Sequence, residues 1–149
     1  MKASTQQLVE IEIDKLTNSI EDAVSGDVFD TEVLPITAKD FRSLRRGWLF
    51  DWVKEFKTPA HEVYKLVIAG NPSDIQGLVS ISDKDDHIFL HLVESAKFNR
   101  GKNKFYKGVA VNLFAFACKR SLEKGYEGFV AFDAKSKLIE HYKQTLHAI

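Results

Sequence analysis

Residues Lys97–Gly125 read "KFNRGKNKFYKGVAVNLFAFACKRSLEKG". The first part is a basic, glycine-punctuated loop, and it runs without a break into a nearly all-apolar helix. Val109, Ala110, Val111, Leu113, Phe114, Ala115, Phe116, Ala117 and Cys118 leave no polar face in the first half of that helix. A helix of this kind is buried on most sides. Gly125 follows it where a helix end favours a left-handed residue. Lys102, Lys104 and Lys107 stand directly before its start. The first turn of a helix already carries free N–H groups and a partial positive charge, so lysines there are unfavourable unless an anion sits among them. Gly108 has no side chain to keep a ligand off the backbone. The arrangement suits a phosphate or pyrophosphate. Composition alone fits a solvated basic loop equally well. "GKNKFYKG" lacks the Gly-Lys-Ser/Thr ending of a Walker loop, and "GVAVN" lacks the dinucleotide spacing.

Upstream, "EVYKLVIAG", "IQGLVSIS" and "HIFLHLVES" are three apolar runs joined by "NPSD" and "DKDD". They predict an antiparallel meander. Downstream, "EGFVAFD" predicts a short strand. A crossover helix between the strand at 87–94 and the one at 127–132 implies that this pair runs parallel. A last helix is expected from about Ser136 to Leu146, with Leu138, Tyr142 and Leu146 on one face.

The first third is less regular. "LVEIEID" (Leu8–Asp14) alternates apolar and acidic residues, as in a half-buried strand. A second strand is expected near Thr31–Ile36. Thr37 followed by Asp40 suits a helix start. That helix is expected to run to about Phe56, with Phe41, Leu44, Trp48 and Trp52 as its apolar face, widened by Leu49, Val53 and Phe56. Gly47 marks a kink or break within it.

The chain has 149 residues and no net formal charge. The length fits one domain over residues 1–149. Residues 1–40 carry nine acids against three bases, whereas residues 95–122 carry seven bases and no acid. Such segregation creates a local field and points to an anionic partner near the basic segment. The N-terminal residues show no secretory h-region, no run approaches the roughly 20 apolar residues of a membrane span, and Cys118 is the only cysteine. A cytoplasmic protein without membrane association is expected. The five histidines show no metal-ligand spacing, so no metal is expected. Cys118, in a buried helix, is expected to be structural.

From Glu62 to Ile149 the chain resembles the GCN5-related N-acetyltransferase family. The family's cofactor motif is Q/R-x-x-G-x-G/A at the start of its central helix, and Gly108-Val109-Ala110 matches the G-x-G/A part. Phe105 stands where Gln or Arg is usual, flanked by Lys104 and Lys107. A second family motif reads roughly F-Y-x-x-x-G-F/A. "HYKQTLHA" matches it at Tyr142, Leu146 and Ala148, with His147 where glycine is usual and Lys135 where asparagine often precedes the helix. The resemblance implies an α/β (α+β) fold, a mixed and mostly antiparallel twisted sheet with a central crossover helix. The family normally adds two strands after this motif. The sequence ends at Ile149, so a sheet lacking those strands is expected, with an open edge that would suit a homodimer.

The resemblance further implies acetyl-CoA as cosubstrate and an amine acceptor. The pyrophosphate would lie on Lys104, Tyr106, Lys107, Gly108, Val109, Ala110 and Val111. The pantetheine arm would pair with backbone near Leu92 and Val93. Tyr142 would give a proton to the departing CoA thiolate, and Glu94 or His91 would take one from the amine. His91 and Glu94 face opposite sides of a regular strand, and the same side only across a bulge of the kind common in this family. Catalytic roles are therefore expected at Tyr142 and Glu94. A fold that binds CoA or a protein partner without turnover is the alternative. A single-strand nucleic-acid binder using Lys97, Arg100, Lys102, Lys104 and Lys107 with Phe98, Phe105 and Tyr106 is least favoured, because the net charge is zero.

Overall fold

The computed structural model describes residues 19–132. The strand expected over Leu8–Asp14 lies outside the described residues. So do Lys135 and the last helix, with Tyr142.

The described chain begins with β1 (Ser19–Asp22) and β2 (Val28–Pro35), an antiparallel hairpin. The meander follows as expected: β3 (Glu62–Ile68), β4 (Ile75–Asp83) and β5 (Ile88–Ser95), each antiparallel to the one before. After the basic loop come a short β6 (Tyr106–Lys107), the long helix (Val109–Glu123, here α3) and β7 (Val130–Phe132). β7 runs parallel to β5, as the crossover predicted. The sheet order is β6-β1-β2-β3-β4-β5-β7. Among the described residues this is a mixed, mostly antiparallel sheet.

Each face of the sheet is covered by a different part of the chain. α3 lays Val109, Leu113 and Ala117 against Leu66, Val79, Ile81, Ile88, Leu90 and Val93. The contact is close because β4 carries Gly77 beneath the helix. On the other face, Leu44 and Trp52 pack with Ile36, Val63, Ile75 and Leu78. Lys65 donates to Asp40 at 2.8 Å, a buried ion pair that ties β3 to the segment after β2.

The single helix expected from Thr37 to Phe56 is divided. Its start is as predicted: the Thr37 N–H donates to Asp40 Oδ2 at 2.9 Å. A 3₁₀ turn (Ala38–Asp40) leads into α1 (Phe41–Leu44), and α2 (Trp52–Lys57) begins anew with Asp51 accepting from the Lys54 N–H. Gly47 lies between them in the left-handed region, at φ +82°. The break has a physical cause. The N–H groups of Leu49 and Phe50, which a continuous helix would bond internally, donate instead to the carboxylate of Glu94. Phe41, Leu44, Trp48 and Trp52 keep the expected apolar face. Leu49 does not join it and is 64% exposed.

β5 is not regular. Ser80 pairs with Leu92 and Ile81 with Leu90, which leaves His91 as one extra residue. This bulge changes the facing. Leu90 and Val93 both pack beneath α3, whereas Leu92 packs on the α1–α2 face. His91 and Glu94 bond to groups on that same α1–α2 side.

Candidate functional site

The basic loop is an ordered structure. Asn99 donates to Gln76 Oε1 at 2.9 Å and accepts from the Tyr106 N–H at 3.1 Å. The Phe105 N–H donates to the Phe98 carbonyl, and the two rings lie 5.5 Å apart. The Phe105 carbonyl accepts from Ala23, which ties the loop to the end of β1. Lys102 and Lys107 are exposed and Lys104 is half-buried. Burial, and then the neighbouring Lys107 charge, hold Lys104 below the usual lysine range. An anion here would relieve that repulsion.

Gly108 sits at φ +93°, a left-handed conformation that glycine adopts without strain. It turns the chain from β6 directly into α3. The N–H groups of Val109, Ala110 and Val111 are in the first turn and have no partner within the helix. Asn112 fastens this turn from below, donating to the Gly108 and Ser19 carbonyls at 2.7 and 2.9 Å. Its Oδ1 is buried with no protein partner among the described residues. Lys104, Tyr106, Lys107, Gly108, Val109, Ala110 and Val111 thus run from the end of the loop through β6 into the first turn of α3.

Leu92 and Val93 lie on β5 just beyond its ladder with β7. Among the described residues that ladder runs from Ile88–Val130 to Leu90–Phe132. The bulge at His91 falls immediately after it.

Glu94 is placed differently from the base expected there. It is fully buried. Its carboxylate accepts from the N–H groups of Leu49 (2.7 Å) and Phe50 (3.2 Å) and from Trp52 Nε1 (2.9 Å). Arg100 approaches at 3.9 Å. A carboxylate so occupied holds the α1–α2 connection in place and has no open side for an amine. Only the tertiary fold brings Leu49, Phe50 and Trp52 to Glu94, more than 40 residues away in sequence.

A second group on this face contains His91, one of the two bases weighed from the sequence, together with His61 and Glu55, which were not anticipated. The rings of His61 and His91 stack at 3.7 Å. His61 Nδ1 bonds Glu55 Oε2 at 2.8 Å, and Ser80 donates to the same oxygen at 2.9 Å. His91 Nε2 lies 2.6 Å from Ser82 Oγ, which donates to the Ala60 carbonyl. Burial, followed by the neighbouring His61, brings His91 down to about 4. The available signals were His91 itself and the two serines of β4, Ser80 and Ser82.

Cys118 is half-buried and its thiol is pushed up by burial. This agrees with a structural role. Tyr142 lies outside the described residues. No helix among the described residues is long and apolar enough to cross a membrane.

No family model matches the chain, and no curated protein matches it in sequence. Solved structures do. A transcriptional regulator from Bacillus halodurans C-125 superposes with a TM-score of 0.53 at 12% identity, covering 76% of this chain and 90% of that one. AAC(6')-Iy in complex with the bisubstrate analog CoA-S-monomethyl-acetylneamine superposes with a TM-score of 0.50 at 14% identity, covering 79% and 88%. At such identities the likeness speaks for architecture. The mixed sheet, the bulged β5 and the crossover helix that starts at Gly108 give this chain the GCN5-related N-acetyltransferase fold.

Proposed function

We propose that the protein is an acyl-CoA-dependent N-acetyltransferase acting on an amine. The observation that carries this reading is the turn at Gly108. A left-handed glycine opens α3 directly after a loop whose Lys104 and Lys107 repel each other, and the bulged β5 lies just upstream. The pyrophosphate of acetyl-CoA would take the N–H groups of Val109, Ala110 and Val111, with Lys104, Tyr106 and Lys107 around it. The pantetheine arm would lie along Leu92 and Val93. AAC(6')-Iy, which shares the fold, is solved with a CoA-based analog.

In the reaction the neutral amine attacks the thioester carbonyl, the C–N bond forms, and the C–S bond breaks. Tyr142 would protonate the departing thiolate. Preorganised backbone N–H groups on β5 would stabilise the oxyanion between these steps. Acetyl-CoA should raise the melting temperature, and Gly108→Glu should remove the shift. No shift at millimolar acetyl-CoA sinks the reading.

One observation favours a module that binds CoA without turnover: Glu94 is wholly committed to the α1–α2 connection. Thiol release measured over a panel of amines, with Tyr142→Phe beside the wild type, separates the two. Binding with no release on any amine selects the module.

A further inference from the structure

The buried carboxylate at Glu94 is occupied by its own donors, and the stacked histidines lie at the bulge three residues before it. We propose that His61, oriented by Glu55 and backed by His91, is the general base that deprotonates the acceptor ammonium. The inference rests on the acetyltransferase reading.

The hydrogen bonds set the tautomers. A carboxylate only accepts, so the 2.8 Å bond to Glu55 Oε2 places a proton on His61 Nδ1 and leaves its Nε2 as the acceptor nitrogen. Ser80 fixes the same oxygen of Glu55 from β4. Ser82 has one hydroxyl proton, and it goes to the Ala60 carbonyl at 2.7 Å. Ser82 Oγ must then accept from His91, which is held as the Nε2–H form. The two rings therefore have different duties although they stack face to face.

The charged groups around the pair agree. Glu55 favours a proton here, whereas Lys84 in the β4–β5 turn opposes one on His91. Phe89 packs against the His91 ring, with the ring centroids 4.8 Å apart. Two stacked imidazoles do not both ionise, because like charges at this distance repel. The His61 and Glu55 side chains are each about one-fifth exposed, so the dyad borders solvent.

Backbone geometry supplies an independent sign. Ala60, directly before His61, stands at φ +67°, a conformation that disfavours residues with a Cβ. Strain of this kind persists where surrounding contacts hold it, and it concentrates at functional sites. The Ser82 bond to the Ala60 carbonyl is such a contact.

The step balances. R–NH₃⁺ gives a proton to His61 Nε2, forming an imidazolium whose Nδ1–H remains on Glu55. The free amine attacks the acetyl carbonyl. Tyr142 gives its proton to the departing CoA thiolate and is reprotonated by the second nitrogen proton, and His61 returns its proton to water.

Two measurements test this in the full chain. Nitrogen-detected NMR of the imidazoles should show His61 as the Nδ1–H form and His91 as the Nε2–H form. The reverse tautomers overturn the proposal. With the best amine of a polyamine, aromatic amine and peptide panel, His61→Gln should lower kcat about 100-fold and remove the acidic limb of the pH profile. Glu55→Gln should move that limb while leaving the acetyl-CoA melting shift intact. An unchanged profile in His61→Gln overturns the base. Wild-type failure on every amine also overturns it, yet a surviving acetyl-CoA shift would leave the cofactor reading standing.

Discussion

Gly77 on β4 and Leu113 on α3 meet so closely that a Cβ on the glycine would lie 2.8 Å from Leu113 Cδ1. Val109 Cγ1 is equally near, and the Glu94 carbonyl is 3.2 Å away on a third side. One methyl there must push the central helix off the sheet. Gly77→Ala should destabilise by about 1–3 kcal/mol, as overpacked cores do. Urea unfolding measures it, and a midpoint equal to the wild type would show that the helix shifts without cost.

Glu94 should be a stability residue. Glu94→Gln keeps the shape but sets an amide against three N–H donors. A loss of about 3 kcal/mol is expected, the scale of stranded buried donors. Amide exchange at Leu49 and Phe50 should accelerate along with the loss. If stability and exchange both stay at wild-type values, the carboxylate is not the anchor.

Ala60 should gain from losing its methyl. In a left-handed conformation Ala60→Gly removes about 1 kcal/mol of strain, less the entropy glycine adds to the unfolded chain. Thermal melting should rise slightly. A clear fall in melting temperature would mean that the methyl makes a contact worth more than the strain.

Acid should weaken the fold through His91. Its folded value of about 4 lies below the ordinary 6.5, so between these the unfolded chain binds more protons. This contribution to stability is fully present above about pH 6.5 and is lost as pH falls toward 4. His91→Phe should flatten stability over that window, measured by urea midpoints at a series of pH values. An identical slope in the variant would assign it to other groups.

The parts legible in the sequence were those set by neighbours along the chain. The meander came from alternation and turn residues, α3 from an apolar run between Gly108 and Gly125, and the parallel β5–β7 pair from the crossover. What was not legible depends on distant partners. The helix after Thr37 broke because Glu94 competes for its N–H groups. The Glu55–His61 dyad is six residues apart in sequence, but its oxygen is fixed by Ser80 and its ring stacks on His91, both from other strands.

The bonds that shape the basic loop join Gln76, Asn99 and Tyr106, and Phe98 to Phe105, through amides and backbone alone. None of these bonds uses a lysine side chain. Form and charge in this loop are separate traits. The lysines can be exchanged without dismantling what carries them, so the charge of this loop is free to drift while its shape stays fixed.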